Sequence, residues 1–410
     1  MSALKKQFFW YMAGVTSFVI PMGIQTILFP WLVAVQLQES ADRLGIAQMS
    51  TQLPGLFLIL FGGLLADRFD QRKILIGFHV IAAIPAAGLA LLMYLDLLSY
   101  WALIGYALMM GTVGAFIQPA RDGMLNRVAG DQLQRTVTVT MGLTFGAQIF
   151  GFAAASFADS IGAIPLLVLH SLIVFSGALI SLKLKPAPPQ PQDVNAGSRL
   201  NQIKSGLKVV IRSPRMGPAL VMMMAMSTFY GGSFVVLNPI IVRDVYHGSA
   251  RDISMSFAAF MIGTVVITIL LVSLGGVKKQ GRALMLAIFI GGIFLLIAAT
   301  GLPFYGYLIT LFFWGMCGGV AMSMGRTLMQ ESAPLEYRAR VMSVFSLGSV
   351  GGMPMGALLM GYCAASIGGL MTLCVAVAGI WLVLALVWWK SDLARLEPLT
   401  LEQHEGRLAK

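Results

Sequence analysis

The chain has 410 residues, of which 58% are hydrophobic and 11% charged, and its formal net charge is +11. Soluble domains carry about 25% charged residues, so this composition excludes an ordinary soluble protein and places the chain in a bilayer. The strong positive charge leaves a basic nucleic-acid-binding face as the alternative to be tested.

Stretches without Asp, Glu, Lys or Arg predict the membrane-spanning helices in chain order. A helix of about 20 apolar residues crosses the hydrocarbon core. Eight stretches can each hold one such helix: 7–38, 44–66, 74–95, 97–120, 136–158, 160–182, 216–242 and 253–277. Two longer stretches, 283–325 and 341–389, each hold two helices, because "GLPFYG" at 301–306 and "CAASIGG" at 363–369 can turn the chain. The sequence therefore predicts an all-α polytopic membrane protein with twelve transmembrane helices, numbered spans 1 to 12.

The distribution of charge predicts the orientation. Lys5 and Lys6 precede an apolar run that is too long for a signal peptide, so we expect the amino terminus to stay in the cytoplasm. Twelve crossings from there place only three of the 28 Lys and Arg residues on the far side, namely Arg43, Arg243 and Arg251. This positive-inside pattern explains the net charge without nucleic acid. It predicts a multi-pass protein of a bacterial inner membrane with both termini cytoplasmic.

An internal repeat divides the chain. "RDGMLNRVAGDQLQR" at 121–135 and "RTLMQESAPLEYRAR" at 326–340 both read Arg, nine residues, an acid, three residues, Arg, at an offset of 205. The same offset aligns Gly146 with Gly351 and Gly151 with Gly356, and a slip of one residue aligns two Ser-Ile-Gly triplets that end at 162 and 368. The pattern predicts two pseudo-symmetric six-helix bundles.

Four segments follow from this repeat. We expect an amino-terminal bundle at 1–182, a cytoplasmic linker at 183–215, a carboxy-terminal bundle at 216–390 and a cytoplasmic tail at 391–410. The linker contains "KPAPPQPQDVNAGS", which is too polar and proline-rich to pack, and then the basic "NQIKSGLKVVIRSPR", which we expect along the membrane surface.

A charged loop, "ADRFDQRK", follows span 2. Asp67 lies near the carboxyl end of a helix, where the macrodipole disfavours a negative charge. It therefore needs a partner, such as the amino end of another helix, Arg121 or Arg340. If such contacts break when two bundles separate, they form a two-state latch. The alternative, which charge counts alone do not exclude, is that the cations of this loop serve only to orient the protein in the membrane.

Twelve helices in two related halves, with Gly63, Leu65, Ala66, Asp67, Arg68, Arg72 and Lys73 after span 2, resemble the major facilitator superfamily and its loop signature G-x-L-A-D-R-x-G-R-R/K. "ADRFDQRK" and "QPARDGMLNRVAGDQLQR" are most similar to the drug and siderophore exporter branch, the relatives of macrolide efflux proteins and the enterobactin exporter. This resemblance implies alternating access, proton-driven export and a central cavity lined by spans 1, 4, 7 and 10. It also implies that Asp67 stabilises the outward-facing state against the start of span 11. The predicted conformational latch comprises Gly63, Asp67, Arg68, Arg72, Lys73, Arg121, Asp131, Arg135, Arg326, Glu336 and Arg340.

The chain departs from the family pattern in three places. Asp70 stands where the signature has Gly, and Gln71 stands where it has its first Arg. The second-half counterpart, "GGVKKQGRAL" at 275–284, lacks the acid. Ala107 stands four residues before Gly111, where proton antiporters have Arg. This last departure weakens the inference of the usual proton antiport.

Protons are the coupling ion that the family resemblance implies, yet no Asp, Glu, Lys or Arg falls in the middle of a predicted span. We therefore expect coupling at His170, His79 or Asp67, with Asp122 and Asp159 as weaker candidates. The alternative is that each histidine is a hydrogen-bonded core residue.

Uncharged polar and aromatic side chains predict the substrate cavity. They comprise Ser17, Gln25, Gln118, Ser227, Tyr230, Asn238 and Trp314. Such a lining suits a large, mostly neutral or amphipathic solute. Packing between helices is the alternative, since small and amide side chains also join membrane helices.

These observations predict a secondary active transporter that exports a siderophore, drug or other amphipathic small molecule, acts as a monomer and contacts membrane lipid. We expect no enzyme activity, cofactor or nucleic-acid partner. We expect no metal site either, because Cys317, Cys363 and Cys374 lack metal-ligand spacing. A lipid or lysophospholipid flippase is one alternative. A non-transporting membrane sensor or an integral membrane enzyme is an alternative of another class.

Overall fold

The computed structural model describes residues 3–129, 133–187, 199–274, 277 and 279–393. Twelve long helices lie within these ranges, and we keep the span numbers for them. They are span 1 (Ala3–Trp31, continued by the π-helical Leu32–Gln36), span 2 (Ala41–Arg68), span 3 (Gln71–Tyr94), span 4 (Tyr100–Ala129), span 5 (Leu133–Ala155), span 6 (Ala163–Ser181), span 7 (Met216–Asp244), span 8 (Ala250–Ser273), span 9 (Gln280–Ala298), span 10 (Phe304–Ser332), span 11 (Arg338–Ile367) and span 12 (Gly369–Lys390).

Length and hydropathy make eleven of these helices candidates for crossing a membrane. Their most apolar windows have mean hydropathies between 1.3 and 2.7. Span 2, with 28 residues, is the remaining long helix in the described part of the chain and covers the predicted stretch 44–66. The prediction of an all-α polytopic membrane protein is therefore confirmed. We call the ends that were predicted to be cytoplasmic the basic side, and the opposite ends the far side.

Two glycines with the same backbone conformation mark the repeat. Gly162 has φ +80° and ψ 168° between the short helix Ala158–Ile161 and span 6. Gly368 has φ +81° and ψ 159° between spans 11 and 12. Only glycine adopts this region without strain, because a Cβ would clash with the backbone. Both glycines end the Ser-Ile-Gly triplets that the sequence aligned, so the aligned residues make the same turn.

Glycines also let spans approach closely at equivalent positions. In one half, a Cβ added to Gly23 of span 1 would lie 2.9 Å from the Cα of Gly151 in span 5. In the other half, a Cβ added to Gly232 of span 7 would lie 2.8 Å from the Cα of Gly356 in span 11. Gly151 and Gly356 are a pair that the 205-residue offset aligned. Small residues of this kind join membrane helices by close packing.

The chain forms two compact units. The first comprises Met1–Asp193 and Pro239–Ala258, and the second comprises Val194–Asn238 and Ala259–Lys410. The far-side ends of spans 7 and 8 therefore belong to the first unit. Within the first unit, the most extensive helix contacts are those between spans 2 and 4, spans 3 and 6, and spans 1 and 5. The linear domain boundaries predicted from the sequence stay a prediction.

Candidate functional site

The loop between spans 2 and 3 holds the chain that leaves span 6. Asp70 is the N-cap of span 3, and its Oδ1 accepts hydrogen bonds from the Arg72 amide at 2.9 Å and the Ala187 amide at 3.0 Å. Arg72 donates through Nη2 to the Leu182 carbonyl at 2.6 Å and through Nε to the Ser181 carbonyl at 3.4 Å. A cation at the carboxyl end of a helix satisfies carbonyls that lack helical partners. The acid that departs from the family signature thus has a structural role.

Arg121 is buried, unlike the other cations of the predicted latch whose side chains the structure describes. Its side chain is 9% exposed, and its Cζ lies 5.5 Å from the centre of the Phe18 ring. Tyr11 donates its hydroxyl to the Arg121 carbonyl at 3.2 Å. The Arg121 Nε is buried and has no hydrogen-bond partner in the described part of the chain. A buried guanidinium with an unused donor is costly, so it marks a strained or functional position.

The remaining latch residues are placed as follows. Gly63 is buried, and four charged side chains are exposed, namely Arg68, Lys73, Arg326 and Glu336. Arg340 is half-buried, donates to the Ser205 hydroxyl at 3.4 Å and lies over the Tyr337 ring. The helical backbone is described for Asp67 and Arg135 but their side chains are not, and Asp131 lies outside the described residues. The latch therefore stays a prediction.

His79 and Ser17 meet at a glycine of span 6. A Cβ on Gly177 would collide with the Ser17 hydroxyl and would lie 2.6 Å from the His79 Nε2. The His79 Nδ1 lies 2.7 Å from the Leu75 carbonyl, and its ring packs edge-on against Phe18. Its Nε2 is buried, and the Gly14 backbone is a polar contact of the ring. The structure thus places a candidate cavity residue and a candidate coupling residue side by side inside the first unit.

His170 is the second buried histidine. It is fully buried in span 6, and neither ring nitrogen has a hydrogen-bond partner among the described residues. Leaving a buried polar group unpaired costs about 1–3 kcal/mol, so such a residue calls for an explanation. The neighbouring Ser171, in contrast, donates its hydroxyl to the Ala83 carbonyl of span 3 at 2.9 Å.

Two candidate cavity residues of the amino-terminal half have different surroundings. Gln25 is half-buried on span 1. Gln118 is exposed on span 4 and donates to the Asp122 carboxylate at 3.1 Å. Asp122 is itself exposed. The described contacts therefore tie Gln118 to an acid on its own helix.

Span 7 contains two π-helical segments where the sequence predicted cavity residues. They are Ser227–Gly231 and Ser233–Leu237, and Asn238 follows directly. Tyr307 of span 10 donates its hydroxyl to the Asn238 Oδ1 at 3.0 Å. The Ser227 hydroxyl and the Asn238 Nδ2 are buried without partners among the described residues. Such π-helical segments are frequent at functional sites, because they displace side chains from regular helical positions.

An aromatic cluster lies beside this part of span 7. It comprises Tyr230, Phe234, Phe260 and Trp314, with ring centres 4.4–6.0 Å apart in the contacting pairs. The Tyr230 hydroxyl donates to the Ile288 carbonyl at 2.7 Å. The sequence pointed to Tyr230 and Trp314 but missed Phe260, because a phenylalanine on an apolar helix has no distinguishing spacing.

Trp381 places a further polar group near the Tyr230 hydroxyl. A Cβ on Gly292 of span 9 would collide with the Trp381 Nε1 and would lie 2.9 Å from the Tyr230 hydroxyl. The indole N–H is buried and lacks a partner among the described residues. Buried indole N–H groups usually find an acceptor. Nothing in the local sequence signalled this residue.

An apolar cavity lies between spans 8, 9 and 10 of the second unit. Its volume is about 300 Å³, and spans 8, 9 and 10 line it with apolar side chains that include Ile267, Ile290, Phe294, Phe313 and Met316. An apolar cavity within spanning helices suits an alkyl or acyl chain.

The far-side ends of the first unit carry a cluster of charges that the sequence did not predict as a unit. Asp159, in the short helix before span 6, accepts hydrogen bonds from the Trp31 Nε1 at 3.1 Å and from the Ala250 amide at 2.7 Å. Ala250 begins span 8, so its amide is one of the donors without a helical partner. A carboxylate at this end also interacts favourably with the helix dipole.

Arg243 makes the complementary contact. Its Nη1 donates to the carbonyl of Ala34, in the last turn of span 1, at 3.0 Å and to the carbonyl of Glu39, in the loop that follows, at 2.7 Å. Arg243 also pairs with Asp244. Burial raises the pKa of the Tyr246 phenol in the adjoining loop. We call Trp31, Ala34, Glu39, Asp159, Arg243 and Ala250 the far-side cluster.

Within the described ranges, no group of three or more His, Cys, Asp and Glu side chains is placed to hold a metal ion. Cys317, Cys363 and Cys374 are free thiols.

The comparisons with known proteins agree with this architecture. Residues 2–405 match the family described as transmembrane secretion effector. Macrolide efflux protein A of Streptococcus pyogenes is 23% identical over 375 residues, which cover 86% of this chain and 91% of the relative. The enterobactin exporter EntS of Shigella flexneri is 24% identical over 373 residues, which cover 86% of this chain and 83% of the relative.

Solved structures share the fold. The crystal structure of the nucleoside transporter NupG superposes with a TM-score of 0.71 at 14% identity and covers 95% of this chain and 99% of that one. A bacterial homologue of the human lysosomal transporter Spinster gives 0.71 at 12% identity, covering 96% and 98%. The family and its relatives are transporters, which removes the alternative of an integral membrane enzyme. This chain is a multi-pass membrane transporter and belongs to the transmembrane secretion effector family of the major facilitator superfamily.

Proposed function

We propose that this protein is a secondary active transporter that exports a siderophore, drug or other amphipathic small molecule by alternating access. The observation that carries the proposal is the irregular part of span 7. It carries buried polar groups of Ser227 and Asn238 that lack partners among the described residues, on the same helix as Tyr230 and Phe234 of the aromatic cluster. The names of two relatives, an efflux protein and a siderophore exporter, support the direction of transport.

The chemistry of this region favours a neutral or amphipathic solute. Aromatic faces bind flat apolar surfaces, and each buried aromatic side chain offers a large contact area. The Asn238 amide and the Trp381 indole supply donors without partners among the described residues. The carbonyl or phenol oxygens of a solute would accept hydrogen bonds from these donors. Because the donors are uncharged, a fixed charge on the solute would have no counter-charge here.

Alternating access requires contacts that open and close in turn. We propose that Asp67 and the other latch residues act on the basic side, as the family resemblance implies, and that the far-side cluster closes the opposite end. Asp159 and Arg243 suit this role, because both bind backbone groups at helix ends that water can satisfy once the contact breaks.

The driving ion, the orientation and the assembly are also proposals. We propose proton coupling at His170, His79 or Asp67, and the unpaired ring nitrogens of His170 support its candidacy. We further propose a monomer in a bacterial inner membrane with both termini cytoplasmic. The excess of Lys and Arg on one side supports this orientation.

The deciding experiment uses inverted membrane vesicles with an imposed pH gradient. The probes are a catecholate siderophore, a macrolide and lysophosphatidylethanolamine. We expect gradient-dependent uptake of the siderophore or the macrolide, and we expect Trp314→Ala to raise its KM at least tenfold. Trp389→Ala is the matched control, because Trp389 is 81% exposed at the end of span 12. Absence of transport of all three probes would contradict the proposal.

Lysophospholipid transport is the second candidate. The apolar cavity of about 300 Å³ between spans 8, 9 and 10 favours it, because an acyl chain could lie there. Uptake of lysophosphatidylethanolamine without uptake of the other two probes would select this function. Cys317 also lines this cavity, so Cys317→Trp would fill it and should then block lysolipid transport.

A further inference from the structure

The linker helix, Arg199–Arg212, presents an exposed face with a distinct composition. Lys204, Leu207, Lys208, Ile211 and Arg212 follow the spacing i, i+3, i+4, i+7 and i+8, so they lie on one side of the helix. The three cations are exposed, and the side chains of Leu207 and Ile211 are 39% and 67% exposed. Together these five residues form the linker face.

The opposite side of this helix is fixed to span 11. Gly206 lies against the start of that span, where a Cβ would meet the Arg340 carbonyl oxygen at 2.8 Å. Val210, one turn further on, is fully buried. Arg340 also donates to the Ser205 hydroxyl at 3.4 Å. The linker helix is therefore held in one orientation, with the linker face pointing away from the protein.

The position of the helix sets its depth relative to a bilayer. It ends at Arg212, four residues before span 7 begins at Met216. It packs against Arg340, close to where span 11 begins at Arg338. Both spans start on the basic side, so the linker helix lies at the level where spanning helices leave the hydrocarbon. Phospholipid headgroups occupy this level.

We propose that the linker face binds anionic phospholipid headgroups of the leaflet on the basic side. Lys204, Lys208 and Arg212 would pair with lipid phosphates, and Leu207 and Ile211 would insert between the upper acyl carbons. Cations and aliphatic side chains that share an exposed face are the pattern of helices lying in the membrane interface. The proposal goes beyond transport, because a lipid bound here would act on span 11 through Gly206 and Arg340.

The first test measures binding of one defined lipid to the purified full-length protein by native mass spectrometry. Dioleoylphosphatidylglycerol is titrated against dioleoylphosphatidylcholine, which has the same acyl chains and no net charge. Each cation that pairs with the phosphate of the bound lipid strengthens association by a factor of about five. The variant Lys204→Gln/Lys208→Gln/Arg212→Gln should therefore bind the first phosphatidylglycerol at least about tenfold more weakly.

A matched control removes the same charge elsewhere on the basic side. Lys183, Lys185 and Arg282 are also exposed there, and changing all three to Gln should alter phosphatidylglycerol affinity less than about twofold. An equal loss in both triple variants would overturn the proposal, since it would show attraction to net charge without a defined surface. Unchanged affinity in the linker variant would overturn it as well.

A second measurement locates the helix in a bilayer. A bimane probe on Ile211→Cys, in a background with Cys317, Cys363 and Cys374 changed to Ala, is placed in nanodiscs of phosphatidylglycerol and phosphatidylcholine. Lipids brominated near the headgroup should quench this probe, and the three Lys/Arg→Gln changes should reduce the quenching. A probe that brominated lipid does not quench would show that the linker face lies in water and would refute the proposal.

Discussion

The far-side cluster offers a direct test of gating, through the substitution Asp159→Asn. The carboxylate accepts the Trp31 indole N–H through Oδ1 at 3.1 Å and the Ala250 amide through Oδ2 at 2.7 Å. Asparagine has the same size but only one acceptor oxygen, and its amide group would face a donor. One of the two hydrogen bonds is therefore lost, together with the negative charge at the amino end of span 8.

The magnitude follows from these contacts. A hydrogen bond to a charged group contributes about 1.5–3 kcal/mol, and a carboxylate at a helix amino end contributes about 0.3–1 kcal/mol. Asp159 is exposed, so water screens both contributions and the lower ends of the ranges apply. A loss of about 1–2 kcal/mol shifts the equilibrium between the closed and open far side by about 5- to 30-fold toward the open state.

The assay uses the accessibility of a buried side chain next to the cluster. Ser254 is 4% exposed, and its hydroxyl donates to the Ala250 carbonyl at 2.8 Å. Ser254→Cys is introduced into a protein whose three native cysteines are Ala, and a membrane-impermeant maleimide is added from the far side. Labelling should be about 5- to 30-fold faster when Asp159→Asn is present.

Asp96→Asn is the control for net charge. Asp96 is exposed in the loop between spans 3 and 4 and has φ +55°, a conformation that asparagine tolerates well. This variant should label at the wild-type rate. Equal rates for Asp159→Asn and Asp96→Asn would refute the argument that these hydrogen bonds hold the far side closed.

Three further predictions concern the helices and the basic side. Asp70→Ala should lower the unfolding free energy by about 1 kcal/mol, through loss of the N-cap of span 3, and a detergent thermal melt that stays unchanged would contradict this. Gly356→Ala should cost about 1–3 kcal/mol, because its Cβ would collide with the Thr228 carbonyl, whereas Gly114→Ala, which meets open space, should melt like the wild type. Asp67→Asn should slow turnover more than it changes solute affinity, and vesicle kinetics with unchanged turnover would count against the latch.

Much of the fold could be predicted because the bilayer limits the alternatives. A spanning segment must satisfy its own backbone, so charge-free stretches of sufficient length become helices. The breaks at 301–306 and 363–369 could be predicted because each turn needs a glycine. Gly301 and Gly368 adopt φ +74° and +81° there, a region that other residues avoid. The repeat could be recognised because packing also fixes certain glycines. Gly151 and Gly356 are required at close helix crossings that tolerate no side chain.

The far-side cluster could not be predicted in this way. Arg243 binds the carbonyls of Ala34 and Glu39, and every residue has a carbonyl, so the partner leaves no trace in the sequence. The π-helical segments of span 7 were equally hidden, because their residues also suit a regular helix. Side-chain types mark candidates such as Tyr230 and Trp314, whereas the backbone contacts that position them depend on tertiary packing.

The same physical rule explains the positions of four charged residues. Arg72 binds carbonyls at the end of span 6, Asp70 caps span 3, Arg243 binds a carbonyl in the last turn of span 1, and Asp159 binds the first amide of span 8. Helix ends carry the only backbone groups that a spanning helix leaves unpaired, and they lie where water reaches. A charge bonded there can exchange its protein partner for water without entering hydrocarbon. Such contacts stabilise one arrangement of the helices yet break at low cost, which is the property that a transporter needs at each end of its pathway.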